Sequence, residues 1–159
     1  MKTSFVMDEK KYTMAWRFNS KDCQLSVEDK KKIIMLGEDD SERLWDAFFP
    51  FEILMQIDSS HCEILDKKVL DFDDVDAGRL FFQDKLDACD EVIFFWGRRS
   101  SALISSPAII AKAWDDFFYP SDEASLIYMP NFKKIIFSYE ETFFLARTNR
   151  LNFPASTFG

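Results

Sequence analysis

Apolar and polar positions alternate over residues 12–18, where Tyr12, Met14, Trp16 and Phe18 are separated by Thr13, Ala15 and Arg17. This period of two predicts a half-buried strand. Ser26 then opens a helix, its hydroxyl accepting an early backbone N–H while Glu28 and Asp29 suit the positive end of the dipole. That helix is expected to run through Lys30, Lys31 and Lys32 into Ile33, Ile34 and Leu36, and to stop at Gly37. Ser41 is expected to cap a second, short helix with an apolar stripe of Leu44, Trp45, Phe48 and Phe49, limited by Pro50. Residues 51–57 read as a strand, and residues 58–76 show no usable period. Val75, Arg79, Phe82 and Leu86 predict a helix over 75–87, which Gly78 weakens.

The second half is plainer. Residues 91–96 form a continuous apolar run, the pattern of a central strand, and turn through Arg98, Arg99, Ser100 and Ser101 into a strand at 102–105. Ser106, with a capping hydroxyl, and Pro107, whose missing N–H is harmless at the first helical position, open a helix whose buried face is Ile109, Ile110, Ala113, Trp114, Phe117 and Phe118. It is expected to end at Tyr119 and Pro120. Residues 125–129, 134–139 and 142–147 read as three strands of a meander, with turns at Pro130-Asn131 and Glu140-Glu141. Residues 149–159 read as a tail that packs through Phe153 and Phe158. The order of elements predicts one α+β domain with a largely antiparallel sheet and three or four helices.

Composition narrows the functional classes. The chain has 159 residues, 47% of them hydrophobic and 18 of them Phe, enough for a large aromatic core. With four Gly no glycine-rich phosphate loop or dinucleotide fingerprint can be written. The three cysteines, Cys23, Cys62 and Cys89, form no disulfide framework. No secretory leader pattern opens the sequence, and no apolar run reaches the ~18 residues of a membrane span. A reduced, cytoplasmic protein is expected. A pI near 4.7 disfavours nucleic acid and anionic membranes as partners.

The charge is uneven. Between Glu38 and Glu91 there are 17 acidic and 5 basic residues, whereas the whole chain carries −8. Such concentration costs folding free energy through self-repulsion and asks for a use. Within this segment, Asp71, Asp73, Asp74 and Asp76 precede Gly78, but a calcium loop starting at Asp71 would find Val75, Asp76 and Phe82 where it needs a ligand, Gly and Glu. A solvated or partner-matched acidic loop is the better reading, and no metal or cofactor is expected. His61, Cys62 and Glu63 bring together imidazole, thiol and carboxylate, yet neighbours on a strand point to opposite faces, which spoils a nucleophilic pair. Arg98 and Arg99 suit a phosphate grip or pairing with Asp115 and Asp116; Lys30, Lys31 and Lys32 read as a wet helix face. Asp115, Asp116, Asp122 and Glu123 offer paired carboxylates, but the aromatic string from Trp114 to Tyr119 and the turn at Pro120-Ser121-Asp122 read as structure.

Residues 92–144 run apolar strand, short strand, Ser-Pro-opened helix, Trp114, Phe117, Tyr119-Pro120-Ser121-Asp122-Glu123, two strands and Tyr139-Glu140-Glu141. This third of the chain resembles the C-terminal half of small bacterial immunity proteins of the contact-dependent or polymorphic toxin type. The resemblance implies a non-enzymatic protein that binds and neutralises a cognate toxin. Nuclease toxins are basic because they bind phosphate, so an acidic surface would cover such a site with steering and charge complementarity. The expected partner residues are Glu38, Asp39, Asp40, Glu42, Asp71, Asp73, Asp74, Asp76, Asp87 and Asp90, with Trp45 as an anchor and Phe72 and Phe81 as further exposed rings. The alternatives are a small carboxylate- or metal-dependent enzyme and an acidic adaptor. An interaction protein predicts one contiguous acidic patch; an adaptor predicts scattered charges. The doublets Phe48-Phe49 and Phe81-Phe82 leave a homodimer open.

Overall fold

A computed structural model describes residues 6–49, 51, 62–122 and 124–148. Seven strands form one sheet in the order β1-β4-β3-β5-β6-β7-β2, every neighbouring pair antiparallel. They are β1 Ile33–Leu36, β2 Cys62–Val69, β3 Val92–Gly97, β4 Ser100–Ile104, β5 Leu126–Met129, β6 Lys134–Tyr139 and β7 Thr142–Thr148. The helices are α1 Trp16–Asn19, α2 Val27–Lys30, α3 Glu38–Phe48, α4 Val75–Leu86, α5 Ala108–Lys112 and α6 Trp114–Phe117. The fold is the expected α+β class.

Both faces of the sheet are covered at β3, which is why residues 92–96 are apolar without a break. Val92, Phe94 and Trp96 enter one core, together with Ala102, Ile104, Ile127, Ile136 and Phe143. Ile93 and Phe95 point the other way, into a second core with Leu126, Tyr128, Ile135 and Ala146. Phe18 of α1, Phe81, Phe82 and Leu86 of α4, Ile109 and Ile110 of α5 and Trp114 and Phe117 of α6 close the first core. Trp45 of α3, with Phe49 and Phe51, closes the second.

Several local expectations are corrected. Residues 12–18 form turns and α1 instead of a strand, because Arg17 is drawn inside and Trp16 faces out. The helix after Ser26 has its full capping box, with Asp29 N–H on the Ser26 hydroxyl, but ends after one turn. The β-branched pair Ile33-Ile34 instead joins β4 as an edge strand. Helix α3 starts at Glu38 behind Gly37; Ser41 lies inside it, buried, its hydroxyl 2.7 Å from that of Ser101. The Ser106 hydroxyl caps nothing, and at Ala113 (φ −137°, ψ 44°) the expected single helix breaks into α5 and α6. These breaks, with α1, give six helices among the described residues where three or four were expected. The doublets are core rings: Phe49, Phe81 and Phe82 are buried, and Phe48 stacks on Tyr128 with centroids 4.3 Å apart.

Other expectations hold. Helix α4 spans nearly the expected residues, and Asp74 caps it by accepting the Ala77 N–H at 3.3 Å. Gly78 does not weaken α4 so much as permit it: a Cβ there would fall inside the Trp114 indole. That indole donates to the Val75 carbonyl at 2.9 Å. The meander β5-β6-β7 has the expected strands, and Glu140 (φ 49°) and Glu141 (φ 66°) make its second turn. Residues 52–57 of the expected first-half strand and the 149–159 tail lie outside the described residues.

Candidate interaction surface

The sheet separates the acidic residues that the sequence runs together. Helix α3, carrying Glu38, Asp39, Asp40, Glu42 and Asp46, lies on the second core; α4, with Asp71, Asp73, Asp74 and Asp76 at its start and Asp87 and Asp90 beyond its end, lies on the first. The expected partner residues therefore form two groups on opposite faces.

The α3 group is met by arginines. The turn between β3 and β4 delivers Arg98 and Arg99, and Arg98 grips Asp46 with two bonds, Nε to Oδ1 at 2.9 Å and a terminal nitrogen to Oδ2 at 2.8 Å. That grip holds the Asp46 carboxyl below its usual range, against the small opposing effect of burial. Arg99 lies 3.3 Å from both Asp39 and Glu42 and 3.7 Å from Glu38. Arg43 pairs with Asp40. The two arginines thus serve α3; Asp115 and Asp116, offered as their partners, instead accept from Gln24 at 2.7 and 2.9 Å. Exposed pairs of this kind add only ~0.2–1 kcal/mol each to stability, but they cancel most of the field that α3 would project.

Trp45, expected as an exposed anchor, is not on the surface. Its side chain is wholly buried, donates from Nε1 to the Phe51 carbonyl and packs edge-on against Phe49, Phe51 and Phe95. Phe81 is buried as well, and Phe72 is half-buried against Trp114. An indole or phenyl in an amphipathic α3 or α4 stripe is taken by the core, since burying such a ring is worth more than displaying it.

The α4 group keeps its charge. From Asp71 to Glu91 there are eight acidic residues against Arg79 and Lys85. Arg79 pairs with Asp76, and Lys85 is shared by Asp66 at 2.6 Å and Asp84 at 3.2 Å. Lys85 is raised and Asp66 lowered in pKa chiefly by their mutual hydrogen bond. Among the described residues Asp71, Asp73, Asp74, Asp87, Asp90 and Glu91 have no ion pair, and all six are exposed. Asp71 holds its own loop by accepting the Asp73 N–H at 2.8 Å. On the outward face of α4, at helical spacing from Asp76, Asp84 and Asp87, stands Leu80, 67% exposed. Composition alone did not single it out, because one Leu in a helix reads as core.

Compared with known proteins, the chain matches no model of a protein family, no curated protein and no solved structure. Its chemistry is therefore read from its own geometry. Among the described residues no three His, Cys, Asp or Glu converge as a metal site, and no helix is long and apolar enough to cross a membrane. His61 lies outside the described residues; Cys62 beside it is buried, and Glu63 pairs with Arg147 at 2.8 Å. Burial pushes the Cys23 and Cys89 thiols up, away from the reactive thiolate. Asp122, from the expected structural turn, binds the buried Arg17 at 2.7 and 3.0 Å and also accepts from the Tyr119 N–H and the Ser125 hydroxyl. Glu123 lies outside the described residues. A solvent-open cleft of about 510 Å³ lies where α4 ends and α5 begins. Phe82, Leu86, Pro107 and Ala111 make its apolar part; Asp87 and Asp90 line it as well.

Proposed function

We propose that this chain is a binding protein whose α4 face covers a basic surface of a partner protein. The observation that carries the reading is the charge left unpaired among the described residues at the two ends of α4, Asp71, Asp73 and Asp74 before it and Asp87, Asp90 and Glu91 after it, flanking exposed Leu80. Long-range attraction to such a face speeds encounter, and a central apolar side chain excludes water once the surfaces meet. The resemblance of residues 92–144 to immunity proteins supports taking the partner as a toxin, and the charge supports a basic nuclease whose substrate surface is occupied. The α3 group, cancelled by Arg98 and Arg99, takes no part in this reading, nor does buried Trp45.

The test is binding to the protein encoded beside this chain's gene, with charge reversal on each face. D73K/D76K with Leu80→Lys should weaken binding at least tenfold and flatten its salt dependence, whereas D39K/D40K should change it less than twofold. Equal losses from the two faces, or none from α4, would overturn the reading.

A further inference from the structure

The cleft at the end of α4 has an unusual division of chemistry. Its apolar part comes from Phe82, Leu86, Pro107 and Ala111, all buried, the first two and Ala111 as members of the first core. Exposed Asp87 and Asp90 line it with Ser105 and Ser106, the Ser105 hydroxyl donating to the Lys32 carbonyl at 3.4 Å. Helix α4, 12 residues long, ends here with its partial negative charge, and the Leu86 carbonyl is turned back onto the Cys89 N–H at 3.0 Å. Lys112 of α5, the nearest cation on that helix, is committed to Asp29. Burial raises the Cys89 thiol at the cleft, with Asp90 acting in the same sense and Lys134 opposing both.

Each class of occupant can be weighed against these groups. An anion meets two carboxylates and a helix C-terminus. A wholly apolar ligand would cover the carboxylates and leave them desolvated without partners. A divalent ion needs converging oxygen ligands, and no three acidic, His or Cys side chains converge among the described residues. A chain of methylenes ending in a cation satisfies every group: the stem lies on the apolar wall and the head reaches the carboxylates and hydroxyls. The volume, about 510 Å³, falls within the ~300–1,000 Å³ of pockets that enclose ligands.

We infer that this cleft is a socket for a basic side chain, lysine or arginine, presented by a partner protein. The inference rests on the α4 reading above and adds a second contact to it, one seated in a recess where Leu80 supplies one on an open surface. Desolvated, hydrogen-bonded charge contacts of this kind govern dissociation more than encounter.

The probe is an acetylated tetra-arginine amide, titrated into the full chain at low salt while backbone amide NMR signals are followed. Shifts are expected to centre on Gln83, Asp87, Cys89 and Ala108. D87N/D90N should weaken binding at least tenfold, and the peptide with citrulline in place of arginine should not bind. Ala108, exposed at the edge of the cleft, gives a test of shape without charge: Ala108→Trp should also weaken binding severalfold. D39N/D40N is the control and should bind as the parent does. Shifts confined to Asp73, Asp76 and Leu80, unaffected by D87N/D90N, would overturn the socket and leave the α4 reading standing. Equal shifts on α3 and α4 would overturn both.

Discussion

At the scale of single residues, Gly78 and Arg17 decide how the first core closes. Glycine inside a helix ordinarily costs ~1 kcal/mol relative to alanine, so Gly78→Ala on an unpacked helix would stabilise. Here a Cβ would collide with the Trp114 ring, so the same change is expected to destabilise by about 2 kcal/mol, as overpacked cores do. Urea unfolding followed at the tryptophan signal measures it; a gain in stability would contradict the packing described. Arg17 is 4% exposed, bonded to Asp122 and to the Phe117 carbonyl, and stacked on Tyr119 at 3.9 Å. Burial alone would raise the Asp122 carboxyl, but the bonds from Arg17, Ser125 and the Tyr119 N–H outweigh it and hold the carboxyl below its usual range. A depressed carboxyl contributes stability above its unfolded value of ~3.9 and loses it as pH falls through the folded value. Asp122→Asn should therefore cost about 3–5 kcal/mol at pH 7, because it strands a buried guanidinium. Its deficit against the parent should shrink below about pH 4, seen by denaturant melts at pH 7, 5 and 3. Asp116, raised chiefly by burial, acts in the opposite sense and softens the parent's loss in acid. None of this was readable at Arg17, which the alternating pattern assigned to the wet side of a strand; its partner lies 105 residues away.

At the scale of elements, strands with an unbroken or alternating apolar signal were readable, and short elements set by distant partners were not. Strands β3, β5, β6 and β7 and helix α4 lie close to where the pattern puts them, because each buries a face whose period survives in sequence. Four-residue β1 is invisible beside a well-capped helix start, since it exists only through its pairing with β4. The turn between β6 and β7 was expected for its polarity but not for its strain. Tyr139 pairs with Thr142, leaving Glu140 and Glu141 as a two-residue loop with both φ values positive, the requirement of a type I′ turn. Non-glycine residues pay roughly 1–2 kcal/mol each for this left-handed region. Glu140→Asn with Glu141→Gly should thus stabilise by about 1 kcal/mol and raise Tm by ~3 °C in calorimetry. An unchanged or lower Tm would argue against the turn geometry.

At the scale of the molecule, the fold class was readable and the arrangement of charge was not. The sequence shows a 54-residue acidic block; the fold cuts it in two with a sheet and cancels one half with arginines from a hairpin some 50 to 60 positions away. The expected anchors Trp45 and Phe81 were lost to the cores for the same reason that made them conspicuous, their large apolar area. What the fold leaves exposed or open instead is the least conspicuous side chain of α4, Leu80, and a cleft that no spacing rule describes. The order of the sheet has one more consequence. Both edge strands, β1 and β2, come from the first half of the chain, while the strands between them, β3 to β7, all come from residues 92–148. On the ribosome, β1 and β2 emerge before β4 and β7, the strands they pair with among the described residues, have been made. Until then Trp45, Phe49, Phe81 and Phe82, buried against that sheet in the finished fold, lack the strands that cover them. Mutual repulsion along its carboxylates keeps the nascent chain apart from its neighbours during that wait, so the acidity of this segment guards the protein's own synthesis.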